Sequence, residues 1–237
     1  MDSPRVGPRL GIVTGLASEA TVVDGLLGED DSSVRVLCAG ASTARAAVLA
    51  RQLVDAGVEA LLSFGIAGAL DPQLRSGELI VANDVLVDDA DLFPCDAAWQ
   101  EALHAALVEA RLPFRRGTIL GSKRMWRAAG DKEAIFEITG CLAVDMESGA
   151  VAAIAAETGL PFLAVRAVAD RAGDSLPSLV DNAVLPDGRP AVGRTLAALL
   201  KHPREIPATL RLARQSDQAL AALRRLEAAK DALFGGF

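Results

Sequence analysis

Strand-length segments that are apolar almost throughout, each followed by a helix-length stretch, constrain this chain more than any other feature. Residues 10–14 (LGIVT), 34–39 (VRVLCA), 60–64 (ALLSF), 79–87 (LIVANDVLV) and 161–169 (PFLAVRAVA) show little alternation of polar and apolar side chains. Successive side chains of a strand point to opposite faces, so a strand without alternation has to be covered on both. Helix-like stretches lie at 18–27, 43–56, 97–110, 132–138 and 148–158. A Ser18 cap is expected to open the first, and Gly57 to stop the second. Residues 115–120 and 142–145 add shorter strands. This βα alternation predicts one α/β domain, a three-layer αβα sandwich around a central mixed, largely parallel sheet.

Residues 1–175 are expected to form the core. From 176 the texture changes to a turn cluster at 186–190 (PDGRP) and then to helices near 191–200 and 206–232. This C-terminal helical extension, 176–237, is assigned to the same domain. With 51% apolar residues the chain can bury a large core, which argues against disorder. Cys38, Cys95 and Cys141 are odd in number and far apart, so neither a disulfide framework nor a zinc site is suggested. No apolar h-region or membrane-spanning run is evident, and a cytoplasmic protein is expected.

Charge divides the chain. Residues 1–200 hold 17 Lys and Arg against 27 Asp and Glu, whereas residues 201–237 hold 7 against 4. An acidic body argues against nucleic acid as a partner, since that affinity comes mainly from cations on phosphates.

In a parallel sheet, ligands bind beyond the carboxyl ends of the strands. Three polar sites fall there: Gly65-Ile66-Ala67-Gly68, Asp145-Met146-Glu147 and Asp170-Arg171. A carboxyl at the end of a buried strand is desolvated and held protonated, which suits Asp170 as an acid; the same position also suits a helix cap or a partner for Arg171. Asp145 and Glu147 face one pocket if the backbone there is extended, or simply open the helix at Ser148. The 65–68 glycines suit a tight turn or close approach to a ligand, and 40–43 (GAST) suits an anion at a helix N-terminus or plain capping. The acidic loop 88–91 lacks a calcium pattern, and no metal is assigned. A Rossmann oxidoreductase lacks its glycine fingerprint here, and a non-catalytic nucleotide-binding module would lack the acid.

Together, Val144-Asp145-Met146-Glu147-Ser148-Gly149-Ala150 and Val165-Arg166-Ala167-Val168-Ala169-Asp170 resemble two signature blocks of the nucleoside phosphorylase and nucleosidase superfamily. Phe64-Gly65-Ile66-Ala67-Gly68-Ala69 supports the likeness, which spans roughly residues 10–175. The resemblance implies a purine nucleosidase or phosphorylase that breaks an N-glycosidic bond. In it Asp170 protonates the base, Glu147 bonds the ribose hydroxyls, and Met146 packs on the sugar. Asp145, Ala67 and Gly68 contribute to binding, and Met125 and Trp126 line the purine pocket. In hydrolytic members an N-terminal Glu orients water, and Glu19 stands in that region. Ile66 and Ala169 replace serines of the small-substrate nucleosidases, and Ser63 replaces a phosphate-binding Arg for which Arg45 or Arg166 is the candidate substitute. No cofactor is implied, with inorganic phosphate the alternative co-substrate to a slightly favoured water.

Residues 174–237 look most similar to the hopanoid-associated branch, whose substrate is adenosylhopane. A small or lipid-linked purine nucleoside is therefore the expected partner, with methylthioadenosine or adenosylhomocysteine as the alternative. Leu212, Leu220, Leu223 and Leu233 with Arg211, Arg214, Arg224 and Arg225 would form a basic amphipathic helix at the inner membrane face, or else close the core or an oligomer contact. The resemblance also implies a homo-oligomer.

Overall fold

The computed structural model describes residues 8–28, 31–87 and 91–237. Among the described residues eight strands form one sheet: β1 (Leu10–Thr14), β2 (Val34–Cys38), β3 (Ala60–Ala69), β4 (Leu79–Val87), β5 (Asp91–Pro94), β6 (Phe114–Gly121), β7 (Ala143–Asp145) and β8 (Phe162–Val168). Their order is β2-β1-β3-β7-β6-β4-β5, and β8 pairs with both β3 and β4. The sheet is mixed: β1 with β2 and β3, β3 with β8, and β6 with β4 and β7 run parallel, and the other pairs antiparallel. Because β8 bridges β3 and β4 while β7 links β3 to β6, part of the sheet closes on itself instead of lying open. Every residue of β8 is buried, as an unalternating strand requires.

Helices lie on both sides. Helix α2 (Thr43–Asp55) packs on α5 (Ser148–Thr158), α1 (Ala17–Leu27) meets α7 (Ile206–Arg224), and α3 (Ala97–Glu109) meets α8 (Lys230–Gly235). Helix α4 (Ala129–Thr139) precedes β7, and α6 (Val192–Lys201) precedes α7. The predicted stop of α2 is present, with Gly57 at φ +87. The Ser18 cap is not: Ser18 is exposed inside α1, and Leu16 occupies the N-cap position. The orphan amides of Gly15 and Leu16 are instead capped by the Glu19 carboxylate, both at 2.8 Å.

Of the two readings of residues 65–68 the tight turn is corrected, since they continue β3, and Ile66, Ala67 and Gly68 line a cavity. Their glycines make room for the protein's own acids. A Cβ on Gly65 would lie 2.6 Å from the Glu19 carboxyl, and one on Gly68 would lie 3.2 Å from Asp170 Oδ1.

The C-terminal extension shares the core of the rest of the chain. Leu220, Leu223, Leu226 and Leu233 are buried in the same apolar cluster as β1, β3 and β8. The indole N–H of buried Trp99 donates to the carbonyls of Ala232 (3.1 Å) and Leu233 (3.0 Å). The amphipathic membrane helix expected from Leu220, Leu223 and Leu233 is therefore corrected: those side chains bury about 1.5–3 kcal/mol each in the core. Leu212 does not join them and lines a cavity. No helix among the described residues is long and apolar enough to cross a membrane.

Candidate active site

That cavity, about 430 Å³, opens where β1, β3, β7 and β8 end. It gathers Glu19, Ala67, Gly68, Met125, Trp126, Asp145, Met146, Glu147 and Asp170, residues spread over 150 positions of sequence. Of the expected acidic loop, residues 88–90 lie outside the described residues, and Asp91 is exposed in β5.

Glu147 sits at the N-cap of α5, but its side chain does no capping. That task falls to Asp145, whose Oδ1 accepts from the amides of Glu147 (2.8 Å) and Ser148 (2.7 Å). Its Oδ2 accepts from Arg166 Nε at 2.8 Å. Asp145 therefore orients the loop through both carboxylate oxygens while also lining the cavity. Glu147 is left with a buried Oε1 that has no hydrogen-bond partner among the described residues. A Cβ on Gly15 would come within 2.8 Å of that oxygen, so only glycine leaves it room. Thr43 Oγ donates to the Met146 carbonyl at 2.7 Å and ties the loop to α2.

Burial, reinforced by the nearby charges of Asp145 and Glu19, pushes the Glu147 carboxyl up to about 8. Burial also raises Glu19, although it accepts from three amides, the third being Ile66 at 2.8 Å. Arg166, 1% exposed, is the cation among these acids. Burial opposes its charge, but Asp145, Glu147 and Glu19 together hold its pKa above the ordinary value. Its other donors go to the Val165 carbonyl (2.9 Å) and Ser63 Oγ (2.6 Å). A guanidinium so committed is not available to phosphate, and Arg45 donates to the Pro186 carbonyl.

Asp170 is buried at the end of β8, where desolvation raises its pKa and Lys132 partly opposes the rise. Its partner is thus Lys132, reaching from α4, and not the neighbouring Arg171. Lys132 was not anticipated: one lysine in a helix-like stretch carries no periodic signal that it turns inward. One wall holds Met125 and Trp126, whose indole donates to Ser122 Oγ (3.0 Å) beneath the Arg124 guanidinium at 3.6 Å. At α2, Ser42 caps the Arg45 amide, which supports ordinary capping of the GAST segment.

The remaining wall comes from the extension. Leu176, Leu179, Val180, Val184 and Leu212 line it, and none of the described lining residues after Asp170 is charged. The turn at 186–190 locks this wall to the floor: Gly188, φ +81, presents its carbonyl to the Ala17 amide at 3.0 Å.

The model of the phosphorylase superfamily matches residues 17–202. The chain belongs to that superfamily. Among curated superfamily proteins, it is 28% identical over 137 residues to a 5′-methylthioadenosine/S-adenosylhomocysteine nucleosidase of Marinomonas sp., covering 50% of this chain and 59% of that protein. The chain thus spans less than two thirds of that relative. It is 27% identical over 183 residues to the nucleosidase of the same name from Mycobacterium tuberculosis, covering 61% and 72%. Among solved superfamily structures, the fold matches the Helicobacter pylori nucleosidase at TM-score 0.72 and 15% identity, covering 96% and 99% of the two chains. It matches the Helicobacter pylori futalosine hydrolase at 0.74 and 17%, covering 97% and 99%.

Proposed function

We propose that this chain hydrolyses the N-glycosidic bond of a purine nucleoside and releases adenine, from a substrate whose 5′ position bears a bulky apolar group. Adenosylhopane is the leading substrate. The observation that carries this is one cavity with an acid-lined floor and an uncharged, largely aliphatic wall.

On the floor, protonated Asp170 gives its proton to the purine as the bond to C1′ breaks, so the base leaves neutral. Glu147 Oε1, without a hydrogen-bond donor among the described residues, accepts from a ribose hydroxyl and so positions the sugar. Glu19 holds acceptor capacity for a water that adds to C1′, yielding the ribosyl product and one proton. Water is favoured over phosphate because Arg166 is buried and donates to Asp145, Val165 and Ser63.

The wall supports the apolar 5′ group: aliphatic side chains bury it, whereas the zwitterionic tail of adenosylhomocysteine finds no charged partner among the described residues there. Methylthioadenosine remains the second substrate, favoured by the curated relatives. Outside the wall, α6 turns Val192, Leu196 and Leu200 to solvent, continued by Ile206 and Leu210 and rimmed by Arg194, Lys201 and Arg204. This apolar, basic-rimmed face is where the protein would rest on an anionic bilayer holding a lipid-linked substrate.

The test incubates the protein with adenosylhopane in anionic vesicles, methylthioadenosine or adenosine, each with and without phosphate, and identifies both products. Adenine and a free ribosyl sugar, fastest from adenosylhopane and unaffected by phosphate, are expected. A sugar 1-phosphate would replace hydrolysis by phosphorolysis, and no adenine from any substrate would overturn the proposal.

A further inference from the structure

Lys132 takes no part in the steps above, yet it is 0% exposed. Its ammonium has three protons, and three acceptors surround it: Asp170 Oδ2, the Arg171 carbonyl at 3.1 Å and the Asp174 carbonyl at 2.9 Å. Burying an ammonium is tolerable only when it is paired and bonded in this way. The acid is therefore tied at Oδ2, while the carboxyl lies beside Gly68 of β3 and lines the cavity.

We propose that Lys132 is the positioning residue of the acid: its ammonium anchors Asp170 Oδ2, presents Oδ1 to the purine, and stabilises the carboxylate left after proton transfer. This rests on Asp170 being the acid of the proposed reaction. The proton on Oδ1 passes to the base as the C1′–N bond breaks and its electron pair goes to the purine. Asp170 is then a carboxylate paired with Lys132, which keeps its own protons throughout. Water supplies the new C1′–O bond, and a solvent proton restores Asp170.

The same ammonium connects the acid to the cavity wall. It fixes the loop after β8 through the two carbonyls, and Asp174 in that loop accepts from Gln215 of α7 at 2.7 Å, with Arg211 at 3.7 Å. Of the charged groups around Asp170, Lys132 comes from α4 and Asp174 from the loop. Glu19, Asp145 and Glu147 share the cavity, with Arg166 beneath them, and Arg171 faces an outer groove with Arg211 and Arg214. Lys132 favours the ionised acid and Asp174 disfavours it.

The experiment compares Lys132→Met and Lys132→Arg, each in the native and the Asp170→Asn background, measuring kcat, KM and the pH profile with methylthioadenosine. Lys132→Met is expected to lower kcat about 100-fold, the lower end of what a positioned acid contributes, and to change KM less than about threefold. It also moves the high-pH limb upward, because without the ammonium the acid stays protonated to higher pH. Lys132→Arg recovers about tenfold of the loss by restoring the charge. In the Asp170→Asn background, Lys132→Met changes kcat less than about twofold, because the group it acts through is gone.

Native kcat with an unmoved limb in Lys132→Met, or an equal loss in both backgrounds, would overturn the proposal. Removing one member of a buried pair destabilises the fold. If Lys132→Met does not fold, Lys132→Arg and the double variant, which leaves no charge unpaired, decide the matter. In that case, Lys132→Arg must keep the native limb, and the double variant must match Asp170→Asn. Near-normal turnover by Asp170→Asn alone would overturn the acid assignment first, and so distinguishes the two failures.

Discussion

The floor and the wall of the cavity are built by opposite physical strategies. The floor collects Glu19, Asp145, Glu147, Asp170, Arg166 and Lys132, all buried and most of them tied to backbone amides or to one another. The wall, from residues 176–216, offers aliphatic side chains and a few hydroxyls. A buried charge requires a fixed partner, so the floor is rigidly specified by its hydrogen bonds. An apolar wall asks only for volume and shape, which tolerates a different substituent far more readily. Under the proposed function, reaction and substrate choice are separable, residing respectively at the strand ends and in the extension.

The sharpest way to break this comparison is to remove the acid. Asp170→Asn is expected to lower adenine release by about 10²–10⁴-fold from every substrate, with adenine binding by calorimetry changed less than about threefold. A loss restricted to the lipid-linked substrate would place specificity on the floor and collapse the distinction.

A smaller effect concerns the electrostatics of the floor. The Glu147 carboxyl, near 4.5 when unfolded and pushed up to about 8 in the folded chain, favours the protonated form on folding. Its contribution to stability is fully present below about pH 4.5 and is lost as pH rises through about 8. Glu19, also raised by burial, acts with the same sign. The thermal midpoint should therefore fall across pH 5–8, and Glu147→Gln should flatten part of that fall; an identical slope in the variant would contradict the assignment.

The smallest effect sharpens the wall. Leu179→Ala removes about two methylene equivalents of apolar contact, worth about 1.5 kcal/mol, or roughly tenfold in KM for adenosylhopane. KM for adenosine should change less than twofold, since it has no 5′ chain to contact residue 179. Equal changes in both would show that the wall does not read the 5′ group.

Much of the fold was legible along the chain. Unalternating strands such as β8 must be covered on both faces, and the α2 stop at Gly57 follows from local backbone preference. Two local readings gave way: α1 begins one residue before Ser18, with Glu19 bonding the amides of Gly15 and Leu16, and residues 65–68 continue β3, where their glycines accommodate acids from α1 and the end of β8. Leu220, Leu223 and Leu233 read as one amphipathic face, which sequence alone cannot distinguish as core or membrane.

By itself the sequence determined the layered α/β class and the strand-end positions of Asp145, Glu147 and Asp170, because periodicity and strand termini are local properties. Only the tertiary structure decided which of these acids is free. Asp145 is engaged by two amides and Arg166, Asp170 is held by a lysine 38 residues away, and Glu147 keeps an oxygen without a partner among the described residues. The reason is that a carboxylate's chemistry depends on burial and on partners, and those partners are brought to it by chain segments distant in sequence.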